Sequence, residues 1–161
     1  MPLTVSRGAR WWPALEEHFL LPPYLVAAVR DYFWDRQLEY RDKAGLQQRR
    51  ETTCSVPQGS VLGPLLWNVA YDVVLREVLH PGCYVVCYAD DTLVVTRGPS
   101  WERAVSNGEW ALACVVGAIR ELGQRVDPKK TDAVFFYDGS VWVPSRATIN
   151  VDGAPSWWGQ P

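Results

Sequence analysis

Two adjacent carboxylates, Asp90 and Asp91, stand between two apolar runs, Cys83 to Ala89 and Thr92 to Thr96. On a regular strand neighbouring side chains point to opposite faces. At a tight turn both can converge on one point, and two carboxylates there make a hard, oxygen-rich site suited to Mg²⁺. The competing reading is that Asp is a common turn former and both acids face water; on the dipeptide alone, that reading is favoured. Two further segments carry polar groups in special backbone. Ser55-Val-Pro-Gln-Gly-Ser-Val-Leu-Gly-Pro64 holds Gln58, Gly59 and Ser60, and Gly123-Gln-Arg-Val-Asp-Pro-Lys-Lys-Thr131 holds Lys129 and Lys130. Taken singly, Gln58 is a loop amide that satisfies nearby backbone and the two lysines are a solvated pair.

The elements that must position these residues follow from punctuation and period. Two Pro and two Gly in ten residues make 55–64 a loop, since neither helix nor strand tolerates them. Pro64 suits the first turn of a helix, and Leu65, Leu66, Val69, Ala70, Val73, Val74, Leu75 and Val78 continue it at helical spacing until His80-Pro81-Gly82. The spacing then predicts a strand over Cys83–Ala89, a turn at Asp90-Asp91 and a strand over Thr92–Thr96. A helix follows from Trp101 to Leu122 with Gly123 as its stop, then strands over Asp132–Tyr137 and Ala147–Val151. Upstream, Pro22-Pro23 precede a helix over Tyr24–Trp34, and Gln37–Thr53 reads as a polar hairpin turning near Gly45. This order predicts an α+β fold, one small antiparallel sheet with helices packed on one face. Residues 1–151 form the domain, and 152–161, ending in Trp157-Trp158-Gly-Gln-Pro161, read as an unstructured or truncated tail.

Composition bounds the function. The 161 residues are 48% hydrophobic and 21% charged, enough to bury a core and too apolar for a disordered tail. Sixteen Lys+Arg against eighteen Asp+Glu leave a net charge of -2, which excludes a globally basic nucleic-acid coat. Four Cys without paired close spacing make neither a disulfide scaffold nor a zinc knuckle, and Cys83 and Cys87 read as small buried residues. His18 and His80 stand alone, without the spacing of a metal site or a nucleophile triad. Trp34, Trp67, Trp101 and Trp110 read as packing residues. Met1 to Arg10 lack an apolar secretory core, and Trp110–Ile119, the longest apolar stretch, is far short of the ~20 residues that cross a bilayer. The expectation is a soluble intracellular protein, nuclear or cytoplasmic, without a membrane partner.

Val56-Pro-Gln-Gly-Ser-Val-Leu-Gly-Pro64, then Tyr88-Ala-Asp-Asp91 between β-branched runs, then Gly123–Thr131 ahead of a strand, together resemble the reverse transcriptases of non-LTR retrotransposons. The three blocks stand in that family's order, and the resemblance covers Leu20 to Val151. It implies a polymerase palm, here a partial one, and two-metal nucleotidyl transfer on an RNA template with a DNA primer and deoxynucleoside triphosphates. Asp90 would be the main magnesium ligand and Asp91 the supporting one. Gln58 and Gly59 would lie against the incoming nucleotide and the template base, where a Gly lets backbone approach a flat ring, with the Ser60 hydroxyl beside them. Lys130 would stabilise or protonate the leaving pyrophosphate.

The sequence also departs from the family. Its members carry a further Asp upstream, at a strand end, bridging both metals, and a steric-gate aromatic after it. Here Met1 to Arg10 hold no acid, and the first carboxylates are Glu16 and Glu17. Ala9-Arg-Trp-Trp-Pro-Ala-Leu-Glu16 resembles the segment that follows the missing block, so the chain is expected to start at or just after it and to be inactive alone. The alternative reading is a non-catalytic nucleic-acid-binding protein or an inactive remnant of such a domain. A nucleotide cyclase also uses paired acids on a hairpin, but its Gly-Gly turn is absent.

Overall fold

Proline, glycine and capping side chains set most element boundaries in the computed structural model, which describes residues 11–51, 59–136 and 148–157. The order is α1 (Trp11–Glu17), α2 (Pro23–Phe33), β1 (Gln37–Arg41), β2 (Gln47–Glu51), α3 (Gly63–Leu75), β3 (Cys83–Tyr88), β4 (Asp91–Thr96) and α4 (Trp101–Glu121). A 3₁₀ turn over Pro128–Lys130, β5 (Thr148–Val151) and β6 (Ala154–Trp157) complete it. The fold is α+β. In place of the one small sheet expected, the strands among the described residues form three separate antiparallel hairpins, β1–β2, β3–β4 and β5–β6. The chain divides into two compact units, residues 1–73 with 121–124 and residues 74–120 with 125–161.

In the first unit the buried apolar side chains are Leu15 of α1, Val26 of α2, Leu66, Ala70 and Tyr71 of α3, and Leu122. α1 was not legible as a helix, whereas α2 matches its expected span within a residue, with Pro at its first turn. Trp67 stacks on Tyr71 at 5.3 Å between ring centroids. Trp34, expected to pack, is instead 70% exposed just beyond α2. The β1–β2 hairpin is polar and exposed on nearly every residue, and the ion pair between Arg49 and Glu39 spans it at 3.5 Å. Its loop is Lys43-Ala44-Gly45: Gly45 N–H donates to Asp42 O and Gly45 takes φ +80, the left-handed position of a three-residue hairpin loop.

Asp42 organises that loop. Its Oδ1 accepts from Ala44 N at 2.9 Å and Leu46 N at 3.0 Å, and its Oδ2 from Gln48 Nε2 at 2.9 Å. The Gln48 amide and these backbone donors favour the charged carboxylate and hold it below its ordinary value of 3.8. A depressed folded pKa contributes stability that is present above the unfolded value and lost as pH falls through the folded one. The hairpin therefore frays in acid: in an NMR titration the Ala44 and Leu46 amide shifts move with a midpoint below 3.8. A midpoint at or above that value contradicts the assignment.

Gln124 is buried, 4% exposed, and neither its Nε2 nor its Oε1 has a hydrogen-bond partner among the described residues. An unpaired buried amide costs about 1–3 kcal/mol, and an apolar side chain of similar volume carries no such cost. Gln124→Leu is expected to raise the denaturation midpoint by about 1–2 kcal/mol of stability, and a loss of stability would show the amide to be satisfied in solution.

In the second unit α4 supplies the core. Gly108, Ala111, Val115, Val116, Ala118 and Ile119 are buried at helical spacing. Ser100 caps its start, its Oγ accepting from Arg103 N at 3.3 Å, and Gly123 takes φ +74 past its end, as expected of the stop. The small residue at 108 lets α4 approach two strands closely. A Cβ built there would lie 2.9 Å from Ile149 Cδ1 and 3.3 Å from Thr96 Oγ1. Polar contacts fasten the same approach: Asn107 Nδ2 donates to Arg97 O at 3.0 Å, Asn150 N to Glu109 Oε1 at 3.0 Å, and Arg120 pairs with Asp152. Trp101 packs edge-on against Phe135, and His80 edge-on against Trp110.

Three expectations are corrected in this unit. α3 stops at Leu75 although apolar spacing runs on to Val78, because Val78 is 87% exposed and a further turn would bury nothing there. The strand expected over Asp132–Tyr137 is a single bridge at Ala133 within irregular chain as far as Phe136, Tyr137 lying outside the described residues. Strand-like alternation survives there, with Ala133 and Phe135 half-buried and Val134 and Phe136 exposed, but without a ladder along it. The tail expected over 152–161 contains β6, which returns on β5 through Asp152-Gly153, both with positive φ (55 and 80) as a two-residue hairpin turn requires.

Candidate functional site

Val85, Val86, Val94 and Val95 favour extended backbone, and they pair in the β3–β4 hairpin with Tyr84 opposite Val95, Val86 opposite Leu93 and Tyr88 opposite Asp91. The turn is therefore Ala89-Asp90, one residue earlier than the Asp90-Asp91 turn expected from sequence. Turn propensity alone favours the two acids, but the register makes Asp91 the first residue of β4. Asp90 sits at the tip, Asp91 on the strand face that carries Tyr88, and both are exposed. Ala89 takes φ +53, a conformation that costs a residue with a Cβ roughly 1–2 kcal/mol. Strain of this kind persists only where the surroundings impose it, here at the residue before the acids.

The opposite face of the hairpin is apolar and half-buried. Cys83 is buried, and the Cys87 thiol donates to Thr92 Oγ1 at 3.9 Å. Burial pushes both thiols above their ordinary value, so they stay protonated and act as small core residues, as expected.

Lys130 ends the 3₁₀ turn Pro128–Lys130 and is exposed. Asp127 builds that turn: its Oδ1 accepts from Lys129 N at 3.0 Å, and its carbonyl accepts from Lys130 N at 3.0 Å and Thr131 Oγ1 at 3.0 Å. Asp90, Asp91 and Lys130 belong to the second unit.

Gly59 and Ser60 belong to the first. Gly59 takes φ +83, a conformation that favours glycine, and the space where a Cβ would lie is open. The Tyr32 hydroxyl, from the end of α2, donates to Ser60 Oγ at 3.2 Å, and the Arg36 guanidinium lies 5.3 Å from the Tyr32 ring centroid. No local signal in the sequence marks Tyr32 as the partner of Ser60. Gln58 lies outside the described residues.

Two adjacent carboxylates supply donors of the right kind for Mg²⁺, which is commonly held by one or two carboxylates with water and substrate phosphates. They fall short in number of a two-ion centre: among the described residues no group of three or more His, Cys, Asp or Glu side chains is gathered to hold a metal.

Residues 15–152 match the family described as reverse transcriptase (RNA-dependent DNA polymerase). The chain belongs to the reverse transcriptase family. Its relatives include the Pol polyprotein of the type-1 retrotransposable element R1 of Nasonia vitripennis, 30% identical over 97 residues, 60% of this chain and 26% of that one. The RNA-directed DNA polymerase of the mobile element jockey of Drosophila melanogaster is 33% identical over 103 residues, 60% of this chain and 11% of that one. The R1 Pol polyprotein of Bradysia coprophila is 34% identical over 64 residues, 40% of this chain and 6% of that one. The resemblance to the reverse transcriptases of non-LTR retrotransposons therefore holds. The matched segments span from 6% to 26% of the length of these curated relatives. No solved structure matches the chain. Among the described residues no helix is long and apolar enough to cross a membrane.

Proposed function

We propose that this chain is part of the palm of an RNA-directed DNA polymerase, joining deoxynucleoside triphosphates to a DNA primer on an RNA template by two-metal nucleotidyl transfer. The observation that carries the reading is the Asp90-Asp91 pair at the tip of an antiparallel hairpin, entered through a strained Ala89, in a chain that belongs to the reverse transcriptase family. Asp90 and Asp91 would hold Mg²⁺, which would supply positive charge to the attacking and leaving oxygens. By the family resemblance Gln58 and Gly59 would serve the incoming nucleotide and template base, and Ser60, held by Tyr32, would offer its hydroxyl there. Lys130 offers its ammonium to the pyrophosphate as negative charge builds there. The capped 3₁₀ turn limits how far the lysine backbone strays, so less freedom is lost when it engages.

Met1 to Leu15 carry no carboxylate, so the bridging acid of the full metal set is not contributed by that stretch. The polypeptide Met1–Pro161, purified alone, is expected to incorporate no labelled nucleotide on a primed RNA template with Mg²⁺. Extended upstream by a strand ending in Asp, it is expected to synthesise DNA. Robust synthesis by the unextended chain would contradict the role given to the upstream acid. An extended chain that folds, binds primed template and still does not turn over would remove the polymerase reading.

A further inference from the structure

A hydrogen bond across 28 residues of sequence ties the end of α2 to the loop that leads into α3. The Tyr32 hydroxyl donates to Ser60 Oγ at 3.2 Å, and both side chains are half-buried within the first unit. On either side of Ser60 the loop turns outward, with Gly59 exposed and Val61 95% exposed. Ser60 also takes part in the step into α3, its carbonyl accepting from Gly63 N at 3.2 Å. The phenol is itself restrained. Its ring meets Phe33 edge to face at 5.1 Å between centroids, and the Arg36 guanidinium lies 5.3 Å from the Tyr32 centroid and 5.8 Å from that of Phe33. A cation within about 6 Å of a ring is drawn to its face, so the two rings and the guanidinium limit one another's motion.

We propose that Tyr32 is a positioning residue for the incoming nucleotide, acting through Ser60 on the Gly59–Ser60 turn. The inference rests on the reading of this turn as part of a polymerase site. A phenol proton is more acidic than that of an aliphatic alcohol, so Tyr32 gives the hydrogen bond and Ser60 receives it. Ser60 keeps its own proton to give, and the group it serves on the nucleotide is an acceptor oxygen or nitrogen. A freely turning hydroxyl loses rotamer freedom when it engages a ligand, and one already held by a restrained partner loses less. With Ser60 held from inside, Gly59 is presented outward, where its backbone can approach a flat base.

Tyr32→Phe removes the hydroxyl and keeps the ring, so packing with Phe33 and Arg36 is retained, with circular dichroism as the control for folding. Two measurements test the proposal. In the chain Met1–Pro161, amide hydrogen exchange at Gly63 is expected to quicken in Tyr32→Phe, because its N–H meets the carbonyl of a less restrained Ser60. In the upstream-extended chain that synthesises DNA, Tyr32→Phe is expected to raise the KM for deoxynucleoside triphosphate on the order of fivefold with a much smaller change in kcat, as loss of one ordinary hydrogen bond does. A merely structural role would lower kcat through loss of active enzyme and leave KM where it was. Ser60→Ala is expected to raise KM at least as much, and adding Tyr32→Phe to it to change nothing further, since the phenol then has no hydroxyl to hold. An unchanged KM in Tyr32→Phe, or unchanged Gly63 exchange, overturns the proposal while an active parent leaves the polymerase reading standing. Additive losses in the double variant overturn it too, by showing that Tyr32 does not act through Ser60. An extended parent that folds and binds primed template without turnover removes the polymerase reading and this inference together.

Discussion

Gly108→Val is expected to destabilise the second unit by about 2–4 kcal/mol, while Gly108→Ala stays within about 1 kcal/mol of the parent. The two substitutions separate two effects that oppose each other at this position. Glycine inside a helix is disfavoured by about 1 kcal/mol relative to alanine, so any side chain gains something from backbone entropy. Against this, a Cβ meets Ile149 Cδ1 at 2.9 Å and Thr96 Oγ1 at 3.3 Å. The nearer atom is the far end of a flexible side chain, which can move by a few tenths of an ångström to admit one methyl. Valine adds two more carbons in a helix that allows it essentially one rotamer, and overpacking of that kind costs about 1–3 kcal/mol before the displaced contacts are counted. Those contacts include the Asn150 N to Glu109 Oε1 hydrogen bond, so amide exchange at Asn150 is expected to quicken with the loss of stability. Denaturant unfolding of the three proteins decides the matter. A valine variant as stable as the parent would mean that α4 does not approach β4 and β5 this closely.

In an upstream-extended chain that synthesises DNA, Asp90→Asn is expected to lower turnover on the order of 10³-fold or more, with primed-template binding unchanged. Asparagine keeps the shape of the side chain and its place at the hairpin tip, so folding is preserved. It removes the negative charge, and with it the hard anionic oxygen that Mg²⁺ prefers. Asp91→Asn is expected to cost less, because Asp91 begins β4 and stands beside Tyr88 rather than at the tip. Single-turnover incorporation of labelled nucleotide measures both. Retained turnover in Asp90→Asn would take that residue out of the site, and equal losses in the two variants would erase the distinction between main and supporting ligand.

α2, α3, α4 and the strands of the first two hairpins were legible because the signals that make them are local. Pro22-Pro23 announced α2, Gly123 announced the end of α4, and the β-branched runs on either side of the two acids announced β3 and β4. β6 lies in the stretch expected to be an unstructured or truncated tail, although Asp152-Gly153 is a local signal for a tight hairpin turn. Other features carried no local signal. The placement of Ala89 rather than Asp91 in the turn depends on which residues of two strands face each other, since a shift of one residue sends every side chain to the opposite face. The isolated bridge at Ala133 shows the same dependence from the other side, because alternation in one segment cannot supply the ladder partner that a strand needs. Tyr32 could not be paired with Ser60 from sequence, as 28 residues separate them.

The order of the three motif blocks, and with it membership of the reverse transcriptase family, was contained in the sequence, because residue type acts on the backbone and neighbours within a few positions. The strain at Ala89, the close approach at Gly108 and the hold of Tyr32 on Ser60 came only with the tertiary structure. Each of them is set by strand register or by packing between segments far apart along the chain, and a residue's type does not by itself record what will stand opposite it.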